Sequence, residues 1–340
     1  MGGIVAFWER WRVWLLSVLA GALLGFIYRL WIGLNLGRGI DSPGWIMTIA
    51  FLVFVPLAMG YLSVHRYLQT SVSESIRWYQ WILLPWASVL ITMLVSLLVK
   101  WEGYICLVFA GPIMLFFSLL GGAVARLAWG KLKNRSPGTL SALGLPLLLL
   151  IVEAHIPAQY EIRTVNTEIL IHAPASVVWN NIKSIRAIEP AELPGSWVGR
   201  IGFPSPVAAT LSHEGIGGVR QASFTGGLVF TETVNEWDPE RDLRFSIHAN
   251  TDSIPRSTLD EHVTIGGAFF DVLDGEYRLE QRPDGVLLHL SSHERLSTHF
   301  NPYAGQWTDA VMEAIQKQIL AVIRSRCEAE NKWSAHAMRS

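Results

Sequence analysis

Two charged residues lie on predicted strands whose other side chains on the same face are apolar. Within residues 228–237, Glu232 shares a face with apolar side chains, because successive side chains of a strand point to opposite sides. Those apolar neighbours are Leu228, Phe230 and Val234. Arg220 lies on the preceding predicted strand, on the face of Ala222 and Phe224. If both faces look inward, Arg220 could pair with Glu232, and such costly buried ions cluster at functional sites. A purely structural salt bridge, or a Glu232 that faces solvent at a twisted edge, would explain the same residues.

Two further residues could contact a ligand. His262 falls in a predicted long loop, residues 250–267, which could cover the mouth of a cavity; an ordinary exposed histidine is the alternative. Tyr277 alternates inward with Leu279 and could offer its hydroxyl to a ligand, or it could be a core tyrosine whose hydroxyl is satisfied locally. We therefore take Arg220, Glu232, His262 and Tyr277 as candidate ligand-binding residues and assign no catalytic residue.

Other chemical signatures are weak or missing from the sequence. His293, Glu294 and His299 do not have the spacing of a zinc-protease helix. The glycines of residues 215–218 precede a predicted strand, so a hairpin turn explains them better than a phosphate-binding loop. The sequence contains no G-x-S-x-G or P-loop motif. We expect no metal and no cofactor, and a nucleophile-driven enzyme is disfavoured.

The composition divides the chain into an apolar and a polar half. Of the 340 residues 51% are hydrophobic and only 16% are charged, against about 25% charged in an ordinary soluble protein. The net charge of -1 gives no attraction for nucleic acid. Two cysteines are too few for a disulfide framework. No feature points to a particular oligomer.

The first half, residues 1–160, is predicted to be a transmembrane domain. Runs at 13–34, 44–64, 79–99 and 103–125 are long enough to cross a hydrocarbon core of about 30 Å. We expect Arg29, near the end of the first run, to extend toward the membrane surface. A fifth run, 139–156, is shorter and interrupted by Pro146, and we expect it to cross as well.

Basic residues predict the orientation. Eight lysines and arginines flank the spans on the side of the N-terminus, against two in the alternate loops. This bias predicts a multi-pass protein of the cell or inner membrane whose N-terminus is cytoplasmic. Five crossings put the C-terminal domain in a periplasm-like, extracytoplasmic space, whereas four would leave it in the cytoplasm.

The second half, residues 161–330, is predicted to be α+β, followed by a tail at 331–340. A strand at 167–172 and a short helix at 175–183 come first. Six further strands follow, at 208–213, 218–224, 228–237, 243–248, 269–281 and 286–293. A long amphipathic helix, 303–328, comes last. Wrapping a curved antiparallel sheet around this helix would bury its apolar stripe and could leave a hollow.

At the level of sequence, residues 169–182 (ILIHAPASVVWNNI) resemble the opening of the helix-grip superfamily often called SRPBCC. This superfamily includes START lipid-binding domains and polyketide cyclase-like proteins. The resemblance continues through residues 215–247 (GIGGVRQASFTGGLVFTETVNEWDPERDLRFSI), 275–280 (GEYRLE), 285–292 (GVLLHLSS) and the terminal helix. It implies a helix-grip fold over roughly residues 165–330. It implies little about activity, because one fold hosts many functions.

Three functions fit these residues. The favoured one is a membrane-anchored binding protein that holds a hydrophobic small molecule or lipid supplied by the bilayer. The second is a cyclase- or isomerase-like enzyme with Glu232 as general base. The third is a structural or regulatory membrane protein whose cavity is filled by side chains.

Overall fold

In the computed structural model, the described residues are 2–36, 47–71, 77–132, 137–250 and 265–337. They form two compact units. Unit 1 comprises Met1–Gln159 with Thr298–Phe300, and unit 2 comprises Tyr160–Ser297 with Asn301–Ser340.

Unit 1 consists of helices. Their bounds are α1 Gly2–Leu36, α2 Val55–Thr70, α3 Gln80–Leu98, α4 Tyr104–Leu132 and α5 Pro137–Glu153. A π-helical turn, Ala50–Phe54, leads directly into α2. Pro56 follows that turn, and a proline removes one backbone donor from the helical ladder.

Four helices within the described residues are long and apolar enough to cross a membrane. They are Phe7–Ile32, Ala50–Thr70, Gln80–Leu98 and Tyr104–Trp129. These helices agree with the four long runs, although the second span is shifted toward the C-terminus. The fifth run is helical, and its described apolar part, Gly144–Glu153, is shorter than a span. The fifth crossing and the side of the membrane therefore stay predictions.

The outer faces of α1, α3 and α4 are apolar. Side chains such as Leu23, Leu94, Leu98 and Leu127 are exposed on the unit's surface. A soluble monomer does not expose apolar area on this scale, whereas hydrocarbon solvates it without cost.

Glycines bring α2 and α4 into close contact. A Cβ atom added to Gly60 would lie 1.8 Å from the Ser118 carbonyl oxygen, and one added to Gly121 would lie 1.9 Å from the Leu57 carbonyl oxygen. Small residues at such crossings allow the backbones to approach, which is how helices associate without a hydrophobic driving force.

Arg29, which was expected to extend toward the membrane surface, reaches the turn between α3 and α4. Arg29 is buried, its Nε donates to Glu102 Oε1 at 2.5 Å, and its Nη2 donates to the Trp101 carbonyl at 2.8 Å. The guanidinium also lies 5.7 Å from the centre of the Trp101 ring. The tight turn between α3 and α4 supplies both partners, so the charge is neutralised inside unit 1.

Unit 2 is built on a seven-stranded antiparallel sheet in the order β1-β7-β6-β5-β4-β3-β2. The strands are β1 Glu161–Ile171, β2 Pro206–Leu211, β3 Val219–Phe224, β4 Val229–Asp238, β5 Asp242–Asn250, β6 Phe270–Arg282 and β7 Gly285–Leu296. Between β1 and β2 lie the short helices α6, Ala175–Lys183, and α7, Trp197–Arg200. The long helix α8, Asn301–Ala337, follows β7 and extends into the segment predicted as a tail, residues 331–340.

The core lies between the sheet and α8. It joins Leu288 and Leu290 of β7, Phe245 of β5, and Leu320 and Ile323 of α8. This is the predicted α+β helix-grip arrangement, a curved sheet that encloses one long helix.

Strand β1 begins six residues earlier than predicted. Arg163 occupies a position of the β1 face that packs on α8, and it forms an ion pair with Asp309 of that helix. A charged residue at that position interrupts the apolar alternation from which the strand was predicted.

Candidate functional site

A cavity of about 120 Å³ lies between the inner face of the sheet and α8. Its wall is mainly apolar. Apolar side chains in the wall include Phe203, Ala222, Phe230, Ile247, Met312, Ile315 and Ile319. The cavity is thus an apolar site with a few polar groups, the usual composition of a small-molecule pocket.

The first polar group in the wall is the pair Arg220 and Glu232. The two residues lie directly opposite each other on β3 and β4. Arg220 Nη1 donates to Glu232 Oε2, and the side chains are 3% and 8% exposed. The strand alternation therefore turns both charges inward, and the predicted pairing is present.

Aromatic rings surround the Arg220 guanidinium. Its centre lies 5.3 Å from the Phe245 ring centre and 5.8 Å from that of Tyr277. Both ring faces attract a cation, which compensates part of the cost of burial. Arg220 Nε has no hydrogen-bond partner among the described residues. The buried Arg220 side chain therefore keeps one unsatisfied hydrogen-bond donor.

Burial changes the pKa values of the acidic side chains beside Arg220. It raises the pKa of the Glu232 carboxyl, and the neighbouring Arg220 charge opposes that rise. Burial also raises the pKa of the Tyr277 hydroxyl, and the neighbouring Arg220 charge opposes that rise. Desolvation penalises the charged form of each acid.

The four candidate residues differ in what the structure describes. Arg220, Glu232 and Tyr277 lie together in the cavity wall. His262 lies outside the described residues. Contact of any of the four with a ligand stays a prediction.

A second polar group was missed from the sequence. Ser292 and Gln316 belong to the cavity wall, and Glu294 lies behind them with no exposed surface. Ser292 Oγ donates to Glu294 Oε1 at 2.5 Å and accepts from Gln316 Nε2 at 2.7 Å. Thr167 Oγ1 completes the chain by donating to Gln316 Oε1 at 2.9 Å.

The signal for this second group was present in the alternation of β7. Every second residue from Val286 to Leu296 is buried, which puts Ser292 and Glu294 on the inner face with Leu288 and Leu290. Gln316 interrupts the apolar stripe of α8 in the same way. Polar residues at core positions are the informative exceptions in such patterns.

The described residues contain no group of three or more His, Cys, Asp or Glu side chains that could hold a metal ion. The polar groups of the candidate site are hydrogen-bonding and ionic side chains. Such an arrangement can recognise a polar atom inside an apolar wall or exchange a proton with Glu232.

No protein-family model and no curated protein matches the sequence. Among solved structures, unit 2 is similar to DynU16 from the dynemicin biosynthetic locus, at 15% identity and a TM-score of 0.30, over 49% of this chain and 48% of that chain. The di-domain ARO/CYC BexL from the BE-7585A biosynthetic pathway shows 14% identity and a TM-score of 0.31, over 62% and 63% of the two chains. An uncharacterized protein from Rhizobium leguminosarum shows 12% identity and a TM-score of 0.30, over 49% and 97%.

The chain thus spans about half of DynU16 and less than two thirds of BexL. Likenesses this distant carry no argument about activity. The strand order and α8 define unit 2 as a helix-grip domain, and it follows a bundle with four apolar helices long enough to span a membrane.

Proposed function

We propose that this protein is a membrane-anchored binding module that holds a hydrophobic small molecule, or part of a lipid, in the cavity of unit 2. The observation that carries the proposal is an apolar cavity with a buried ion pair in its wall. Apolar walls supply affinity, and the few polar groups orient the ligand.

The cavity volume limits the ligand. Small-molecule pockets commonly measure about 300–1,000 Å³, and an apolar cavity of about 150 Å³ accepts benzene. A cavity of about 120 Å³ therefore suits a single ring or a short acyl segment. A larger ligand would require the wall to open.

The membrane spans give the ligand a source. A hydrophobic molecule dissolved in the bilayer is concentrated near a tethered domain, which raises the effective concentration at the site. We propose five crossings, with the N-terminus in the cytoplasm and unit 2 on the opposite side. A compartment-specific reporter fused to the C-terminus tests this orientation, and reporter activity on the cytoplasmic side would contradict it.

Mass spectrometry of co-purified hydrophobic molecules tests the binding proposal. The full chain is purified in lipid nanodiscs, and its extract is compared with that of an Ala222→Phe variant, in which a ring fills the cavity. The matched control is Gln221→Phe, because Gln221 is the exposed neighbour of Ala222 on the opposite face of β3. We expect a bound species in the wild type and the control that disappears from Ala222→Phe. Equal extracts from all three proteins would contradict the proposal and favour a structural or regulatory protein.

A second candidate function is a cyclase- or isomerase-like enzyme. It is supported by Glu232, a buried carboxyl in the cavity wall whose pKa is raised by burial, as suits a general base. Its pairing with Arg220 counts against that role, since a carboxylate held by a guanidinium is a weaker base. A Glu232→Gln variant separates the two functions, because turnover would be lost while apolar binding persists.

A further inference from the structure

The second polar group, formed by Thr167, Gln316, Ser292 and Glu294, has a fixed hydrogen-bond direction. Gln316 Nε2 lies 3.3 Å from the Val165 carbonyl oxygen, which can only accept, so this end of the side chain is the amide nitrogen. Gln316 Oε1 consequently accepts from Thr167, and Gln316 Nε2 donates to Ser292 Oγ.

The direction determines what Ser292 presents to the cavity. Because Gln316 donates to Ser292 Oγ, the serine hydrogen points elsewhere, and it is donated to Glu294 Oε1 at 2.5 Å. A hydroxyl oxygen has two lone pairs, and Gln316 occupies one of them. The other lone pair has no partner among the described residues, and Ser292 belongs to the cavity wall. Ser292 therefore offers the cavity an acceptor.

When Glu294 is ionised, its negative charge lies next to the Ser292 hydroxyl that serves as the acceptor. The residue is fully buried, and its Oε2 has no hydrogen-bond partner within the described part of the chain. Burial raises the pKa of the Glu294 carboxyl to about 7, against the effect of the Ser292 hydrogen bond. An ionised Glu294 polarises Ser292, and successive hydrogen bonds in a chain strengthen one another.

The charged residues around Glu294 are identified from each neighbouring element. Asp309 of α8 and Asp274 of β6 raise the pKa of Glu294, and His293 of β7 lowers it. Arg163 of β1, directly opposite Glu294 in the sheet, is occupied by Asp309 and Glu161. Glu294 thus lacks a cation of its own and depends on Ser292 for a partner.

We infer that Ser292 is a specificity-determining contact, an inference that rests on the proposed ligand-binding function. Ser292 selects apolar ligands that carry a hydroxyl or another hydrogen-bond donor. Glu294 strengthens this contact when it is ionised. The ligand class is a small phenol- or alcohol-like molecule rather than a pure hydrocarbon. The donor of the ligand would bond to Ser292 Oγ, and the charge of Glu294 would reach it through the serine.

Two probes of nearly equal size test the inference. The probes 4-fluorophenol and 4-fluorotoluene differ in one group, a hydroxyl against a methyl, and both suit a single-ring cavity. Their binding to the full chain in nanodiscs is measured by ¹⁹F NMR, with empty nanodiscs and the Ala222→Phe variant as references for partition into lipid. At about pH 8, where Glu294 is ionised, we expect the phenol to bind about fivefold to tenfold more tightly than the toluene.

Two substitutions locate the source of that preference. Ser292→Ala should remove the preference for the phenol while changing 4-fluorotoluene binding less than about twofold. Glu294→Gln should reduce the preference at about pH 8 to the value that the wild type shows at about pH 5.5, since both then carry a neutral group. Ser246→Ala, on the exposed face of β5, is the control and should change neither probe.

The outcomes distinguish the inference from the function on which it rests. If both probes bind equally, or if Ser292→Ala leaves the preference intact, the inference is overturned and cavity binding stands. If neither probe binds the wild type in the cavity, the proposed function fails first. Retained 4-fluorotoluene binding shows that a variant is folded. Should Ser292→Ala lose both probes, Ser292→Cys, a thiol of similar shape that accepts weakly, makes the same comparison.

Discussion

The Arg220–Glu232 pair allows a quantitative test of whether these charges serve stability or ligand recognition. The perturbations are Glu232→Leu, Arg220→Met and the two combined. Removal of one partner leaves an uncompensated buried charge, and the loss of stability should be about 3–5 kcal/mol for each single variant. Both side chains are less than a tenth exposed, so solvent cannot relieve the remaining charge.

For the double variant, in contrast to the single variants, we expect little change in stability. Replacement of a whole buried ion pair by apolar residues is often neutral, or stabilising by about 1–4 kcal/mol. Here Arg220 also loses its contacts with the Phe245 and Tyr277 rings, which are worth about 1–2 kcal/mol together. The two effects nearly cancel, and we expect the double variant to lie within about 1 kcal/mol of the wild type.

Hydrogen exchange of the β3 and β4 amides, followed by mass spectrometry of the full chain in nanodiscs, measures these changes where they occur. The matched control is Arg244 with Glu276, an ion pair of 2.7 Å on β5 and β6 in which Arg244 is about half exposed. Its removal should cost less than about 1 kcal/mol. A cost below about 1 kcal/mol for Glu232→Leu, or a double variant as unstable as the sum of the singles, would refute the reasoning.

Three further predictions follow from other contacts. Gly60→Ala should lower the stability of unit 1 by at least about 3 kcal/mol, because its Cβ would meet the Ser118 carbonyl oxygen. Gly144→Ala, with nothing within 4 Å, should be neutral or slightly stabilising in the same thermal unfolding assay; equal effects would contradict the tight helix contact. Burial raises the pKa of the Cys327 thiol to about 12, so it should resist maleimide until unit 2 unfolds; rapid native labelling, read by mass spectrometry, would count against the packed α8. In the folded protein the pKa of the Glu294 carboxyl is raised from 4.5 to about 7. Its contribution to stability is therefore fully present below pH 4.5 and is lost as the pH rises through 7. The free energy of unfolding should fall by about 3 kcal/mol over this range. Chemical denaturation of Glu294→Gln should lack that decline, and an unchanged pH profile would show that the carboxyl is solvated.

Much of the fold could be predicted because its signals are local. The long apolar runs identify helices such as Gln80–Leu98 almost to the residue. The alternation around Glu232 predicted an inward side chain, and Arg220 on the preceding predicted strand was expected as its partner if its own face also looks inward. Both signals depend on periodicity within one element or on two adjacent elements.

The parts that were missed depend on distant contacts. The burial of Arg29 requires Glu102 and Trp101 from another helical hairpin, which no local pattern shows. The second polar group joins Thr167 of β1 to Ser292 of β7 and Gln316 of α8, both of which lie more than a hundred residues further along the chain. Polar residues at core positions appear as breaks in a pattern until their partners are known.

Photocrosslinking gives the most direct test of the central claim that the cavity of unit 2 accepts a hydrophobic molecule. A short acyl chain bearing a diazirine is supplied to the full chain in nanodiscs, and the adducts are mapped by mass spectrometry. We predict adducts on cavity-wall residues of α8 and β4, such as Met312, Ile315 and Phe230, which disappear in Ala222→Phe. Adducts confined to α1–α4, with none in unit 2, would contradict the account.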